Sequence, residues 1–200
     1  MTTILKPGIE KIMGYFYNNK WQTIHLRELS RRIKLEGQSI TRYLYLLEKK
    51  NILYSKKEGN QKRYGIKSTK RIFAIFSFFD INKFEKLPEI KKQAINTYLI
   101  NLPEQPIYTI LFGSTAKENY TQDSDLDILI ITNNKIDPKK AEKEVDALQA
   151  QKISTFQIVY KDYKKELKLK EDPVIQSAIK TGYPLINHVQ FYEELSHERI

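Results

Sequence analysis

The chain predicts an α/β (α+β) protein of two domains, and three observations carry that prediction. Helical apolar spacing fills most of the first third. Two apolar stretches of strand length, Ile107 to Phe112 and SDLDILIIT, lie in the second half. Positive charge is confined to the beginning: residues 1–70 hold 16 Lys and Arg against 5 Asp and Glu, while the other 130 hold 18 against 19. Such asymmetry points to separate domains, the first facing a polyanion. Lysines merely solvated on a lysine-rich surface are the bland alternative. An apolar content of 40%, with 12% aromatics, suffices for two small cores.

The absence of cysteine excludes disulfides and thiolate metal sites and fits a reducing cytoplasm. The opening MTTILKPGIEKIM lacks the long apolar core of a signal peptide, and the longest apolar run, Ile72 to Phe79, is too short to cross a bilayer. The expectation is a cytoplasmic protein with no membrane partner.

Along the chain, Ile12, Met13, Tyr15 and Phe16 predict a helix from Ile9 to Tyr17 that Asn18-Asn19 breaks. Trp21 to Leu26 reads as a short extended piece, LRELSRRI as a second helix, and Gly37 as a turn. In QSITRYLYLLEKKN, Ile40, Leu44 and Leu47 form one apolar stripe, with Ser39, Arg42, Tyr45 and Lys49 opposite. The period then becomes extended: Ile52 to Lys56 and Lys62 to Ile66 predict two strands around a Gly59-Asn60 turn. Next, Ile72, Ile75, Phe76 and Phe79 predict a helix, and Leu87 to Leu102 a second that stops before Pro103 and Pro106. These two are expected to pack between domains or to form a homodimer contact.

In the second half, Gly113-Ser114 ends the first apolar strand. Glycine lets the backbone approach a phosphate closely, and Ser114 offers a hydroxyl and an amide at the start of a short helix. In SDLDILIIT, Asp125 and Asp127 point to one face and Leu126 and Ile128 to the other. Carboxylates that close repel, so unless all are solvated a divalent cation is expected between them; a solvated acidic loop is the alternative. Asp123 precedes the strand and is expected to cap or solvate the turn. A helix from Asp137-Pro138, a strand Ile153 to Tyr160, helices around Tyr163 to Leu169 (with Asp162 as N-cap) and Pro173 to Lys180, and a Gly182 cap before a short strand complete the order. His25, His188 and His197 have no metal-site spacing and are expected to pack or lie in solvent.

Two resemblances follow from these residues. Helix, helix, turn, helix and basic hairpin over residues 8–68 resemble the winged helix-turn-helix domain of prokaryotic transcription regulators. That resemblance implies double-stranded DNA as partner: Gln38, Ser39, Thr41 and Arg42 would reach base edges, and Lys56, Lys57, Lys62 and Arg63 would neutralise phosphates. Protein interaction is the alternative use of such a domain. The apolar residue, Gly-Ser, ten residues, then Asp-x-Asp in an apolar strand resembles the DNA polymerase β nucleotidyltransferase superfamily, in particular the minimal nucleotidyltransferases of bacteria and archaea, over about residues 90–187. That resemblance implies nucleoside triphosphate as substrate, phosphates held by Gly113, Ser114 and Lys117, and Mg2+ (or Mn2+) held by the catalytic pair Asp125 and Asp127. It also implies a protein acceptor or a cognate toxin as partner. The expected organisation is therefore residues 1–68 winged helix, 69–105 helical connector, and 106–200 a nucleotidyltransferase-like mixed sheet flanked by helices. Members of the family carry a further acid on the following strand. KISTFQIVY has none; its polar side chains are Ser154, Thr155 and Gln157, of which Thr155 or Gln157 is expected to occupy the position facing the aspartates.

Overall fold

A computed structural model describes residues 5–122 and 124–198, and its contacts divide the chain into two compact units. The first ends at Phe79 and the second spans Asp80–Glu198. The division falls inside one helix.

The first unit begins with helix α1 (Pro7–Asn18), which starts at a proline whose fixed φ suits a first helical turn. Strand β1 (Ile24–His25), helix α2 (Leu26–Ile33) and helix α3 (Gly37–Lys49) follow. Gly37 has a φ of +65° and is the first residue of α3, where the sequence predicts a separate turn. The hairpin is β2 (Leu53–Glu58) and β3 (Gln61–Ile66), and the antiparallel sheet runs β1-β3-β2. Ile12, Met13 and Phe16 of α1, Leu29 of α2, and Ile40, Leu44 and Leu47 of α3 are buried, so the helical stripes read from the sequence are core stripes. Helix α4 (Lys70–Glu85) starts in this unit, where Tyr17 stacks on Phe79 at 5.2 Å and meets Phe76 edge-on at 5.6 Å.

The second unit continues from the end of α4 through α5 (Glu89–Asn101), β4 (Tyr108–Phe112), the single turn α6 (Gly113–Ala116), β5 (Leu126–Thr132), α7 (Lys139–Gln149) and β6 (Ile153–Val159). It ends with α8 (Tyr160–Leu169), α9 (Pro173–Thr181), β7 (Tyr183–Pro184) and α10 (His188–Glu198). The sheet order is β6-β5-β4-β7, with β5 and β6 parallel across the α7 crossover and the other pairs antiparallel. This is the mixed sheet flanked by helices that the sequence predicts.

One sheet face buries Leu111, Leu126, Ile128 and Ile130 against Ala94, Ile95 and Tyr98 of α5 and Ala141 and Val145 of α7. On the other face the Tyr108 ring lies 6.2 Å from Tyr163 of α8 and 5.6 Å from Phe191 of α10. Helix α10 has no counterpart in the sequence reading. It is held by a fully buried carboxylate: Tyr192 donates its hydroxyl to Asp80 at 2.8 Å, and His188 Nδ1 lies 3.0 Å from the other Asp80 oxygen. His188 therefore packs against an acid rather than facing solvent. Asp162 is not the cap of α8, because that helix starts two residues earlier with Val159 as N-cap; Asp162 sits in the first turn and pairs with Lys165 at 2.8 Å. Asp123 lies outside the described residues. Among the described residues no helix is long and apolar enough to cross a membrane.

Candidate active site

Every residue of β4 is buried, so the strand delivers its C-terminal end rigidly to the turn that follows. Gly113 then adopts a φ of +71°, a conformation open to glycine at little cost. The turn closes with the Lys117 and Asn119 amides donating to Gly113 and Ser114 carbonyls at 3.3 and 3.2 Å. In the antiparallel register Asp127 stands opposite Phe112, one residue before this turn. A Cβ on Gly113 would lie 1.9 Å from Asp127 Oδ2 and 2.8 Å from its Cγ, so the carboxylate is seated against the glycine. Ser114, half-buried, and Lys117, exposed, belong to the same turn.

Asp125 immediately precedes β5, and Leu126 and Ile128 are fully buried on the opposite face, so the alternation read from SDLDILIIT holds. The Thr115 hydroxyl reaches the Asp125 carbonyl at 3.5 Å, a long contact between the turn and the aspartate loop. The Asp127 carboxyl is raised above its ordinary range, first by burial, then by the Asp125 charge, with Lys117 opposing both. The site therefore holds two carboxylates that repel, with one lysine in electrostatic reach.

That donor set fits a hard divalent cation. Among the described residues no group of three or more His, Cys, Asp or Glu is placed to hold an ion. Asp125 and Asp127 would supply two hard oxygens, and phosphate oxygens and water would complete a Mg2+ or Mn2+ shell. A cation there would offset the Asp125 charge that adds to the effect of burial on Asp127.

The third acid is absent, and the register corrects which residues stand in its place. Parallel pairing sets Asp127 beside Ser154 and Leu129 beside Phe156, so Ser154 and Phe156 share the aspartate face. Thr155 and Gln157 face the other way. Thr155 shares a 2.8 Å hydrogen bond with the buried Tyr98 hydroxyl, and the Gln157 amide, oriented to satisfy both partners, bonds the Ile136 backbone at 3.0 and 3.1 Å. Phe156 is 38% exposed, and its ring lies 5.4 Å from Phe112.

In the first unit, Gln38, Ser39, Thr41 and Arg42 are all exposed on the first turns of α3. A crevice of about 570 Å³ is lined by Gly37, Gln38, Thr41, Arg42 and Tyr45. The hairpin cations divide between two faces, because Lys56 pairs with Arg63 and Lys57 with Lys62 across the ladder. Lys62 is bonded to Glu48 at 3.1 Å, which raises its ammonium pKa. Arg63 is bonded to Glu58 at 3.0 Å and to the Thr23 carbonyl at 2.9 Å. Lys56 lies over the Tyr54 ring, and both Lys56 and Lys57 are exposed.

Comparison with known proteins bears on the second unit. Residues 93–188 match the model of the family described as Polymerase beta, Nucleotidyltransferase, which supports a nucleotidyltransferase domain in this part of the chain. The matched stretch contains Gly113, Ser114, Lys117, Asp125 and Asp127. Neither the curated proteins nor the solved structures contain a significant match to the chain.

Proposed function

We propose that the second unit transfers a nucleoside monophosphate from a nucleoside triphosphate to a hydroxyl acceptor, and that the first unit is a winged helix-turn-helix that docks on double-stranded DNA. The observation that carries the catalytic reading is the seating of Asp127 against Gly113, beside Asp125. It puts the Gly113-Ser114 turn and an acidic pair at one end of the sheet, an arrangement that supports a phosphate-binding role for the turn. The acceptor oxygen forms a bond to the α-phosphorus, the bond between that phosphorus and the bridging oxygen breaks, and pyrophosphate leaves. Gly113 and Ser114 hold triphosphate oxygens, Lys117 offsets their charge, and Asp125 and Asp127 would hold Mg2+ or Mn2+. When bound, the cation supplies charge neutralisation on the phosphates and a lower pKa for the attacking hydroxyl. No side chain of β6 on the aspartate face can take the acceptor proton, which passes to solvent or to a group on the acceptor.

That last feature favours a second reading: a DNA-binding regulator or antitoxin-like protein whose nucleotidyltransferase domain binds nucleotide or a partner protein without turnover. One experiment separates the two. Purified protein is incubated with labelled nucleoside triphosphates, magnesium and a cell lysate. Transfer predicts label in macromolecules with the natural chain and none with Asp125→Asn. Magnesium-dependent nucleotide binding without any transfer supports the second reading.

A further inference from the structure

We infer that Lys91 is a positioning residue for the aspartate pair, an inference that rests on the nucleotidyltransferase reading of the site. Lys91 lies in the first turn of α5 and is 1% exposed. Its ammonium donates to the Ser124 carbonyl at 2.8 Å and to Gln151 Oε1 at 3.0 Å. Gln151, also buried, donates through Nε2 to the same Ser124 carbonyl at 3.0 Å and to the Lys152 carbonyl at 3.3 Å. One backbone oxygen, in the peptide that joins Ser124 to Asp125, thus accepts from two buried side chains. The clamp ties together α5, the aspartate loop and the residues just before β6.

The need for such a clamp follows from the strand boundary. Asp125 stands outside β5, whose ladder begins at Leu126 with its amide donating to the Lys152 carbonyl at 2.9 Å. Two carboxylates at i and i+2 can share one ion only if the peptide carrying the first is held in line with the strand carrying the second. Core packing alone does not call for a lysine here, since burying an ammonium is costly and an apolar side chain of similar length would fill the same space. What the ammonium adds is a fixed Ser124 carbonyl. It acts through the backbone, because the Asp127 carboxyl is governed by burial, Asp125 and Lys117.

The test compares the natural full-length chain with Lys91→Met and Gln151→Met. Calorimetry records ATP binding as magnesium is varied, and amide hydrogen exchange is followed at Leu126. Both variants are expected to need about tenfold more magnesium for half-maximal ATP binding, as is usual when a group orienting a metal ligand is lost. Exchange at Leu126 is expected to quicken while the β4 amides keep their protection. A lower melting temperature with an unchanged magnesium midpoint is the signature of a purely structural role and overturns the inference. If Lys91→Met does not fold, Gln151→Met decides alone, since it leaves the lysine in place and removes the other arm of the clamp. If the natural chain binds no magnesium-ATP, the nucleotidyltransferase reading falls instead. Leu126 exchange then decides this one, and unchanged exchange in the variants overturns it.

Discussion

The Asp127 carboxylate occupies the space where a side chain on Gly113 would begin: a Cβ there would sit 1.9 Å from Oδ2, with the Gly113 backbone at a φ of +71°. Both effects act against Gly113→Ala. The left-handed backbone alone costs a non-glycine residue roughly 1–2 kcal/mol, and the methyl must also push Asp127 off the turn. Gly113→Ala is expected to lower stability in urea denaturation by at least that amount and to abolish magnesium-dependent ATP binding in calorimetry. Full binding by a folded variant would remove this contact from the site.

The aspartates are expected to separate by their effect on the protein without metal. Asp125→Asn and Asp127→Asn should each remove magnesium-dependent ATP binding, because a divalent ion loses one of two carboxylates. In chelator, Asp127→Asn should raise the melting temperature at neutral pH. The folded pKa of Asp127 is raised above the ordinary 3.8, so its contribution to stability is intact below that value and is lost as pH rises through the folded pKa. The gain from asparagine is therefore expected near pH 7 and should vanish as pH falls below 3.8. Melting curves against pH check the sign.

Restoring an acid on β6 should succeed only on the aspartate face. Ser154→Asp places a carboxylate beside Asp127 and is expected to raise transfer, or to tighten manganese binding where transfer stays low. Thr155→Asp breaks the Tyr98 bond and buries a charge facing α5, with an expected loss of about 1–3 kcal/mol. Gln157→Glu sacrifices the bond donated to the Ile136 carbonyl and is expected to leave transfer unchanged. Parallel turnover and denaturation measurements distinguish the three.

Salt titrations of DNA binding test the first unit. Arg42→Ala is expected to relax sequence preference more than it weakens non-specific binding. Lys57→Ala should weaken all duplexes alike and flatten the log-log salt slope by about 0.9, the value for one phosphate contact. Lys62→Ala should flatten it less, since that ammonium is already bonded to Glu48. Absence of binding at low salt would favour protein interaction as the role of this unit.

Much of the fold was legible because local periodicity reports burial directly. The stripe Ile40, Leu44 and Leu47 has nowhere to go but a core, and SDLDILIIT alternates because its strand has a buried face and a face carrying carboxylates. The Gly113-Ser114 turn shows itself as a glycine ending an apolar run, and strand parity puts Asp125 and Asp127 on one side whatever surrounds them. Helix α10 was not legible, because its register depends on Asp80 more than a hundred residues earlier receiving Tyr192 and His188.

The sequence by itself determined the charge division, the order of elements as far as β7 and the identity of the acidic pair, all of which depend on neighbours in the chain. Only the tertiary structure decided which residues of β6 face that pair, because parity within a strand carries no information about its register against the next. The pairing of Asp127 with Ser154 assigns the aspartate face to Ser154 and Phe156 and turns Thr155 and Gln157 away. It likewise decided that Lys91, a lysine in an ordinary amphipathic helix by its spacing, is buried beneath the aspartate loop. A buried ammonium is acceptable only where carbonyl oxygens converge on it, and the carbonyls of Ser124 and the Gln151 side chain meet there only once the chain has folded.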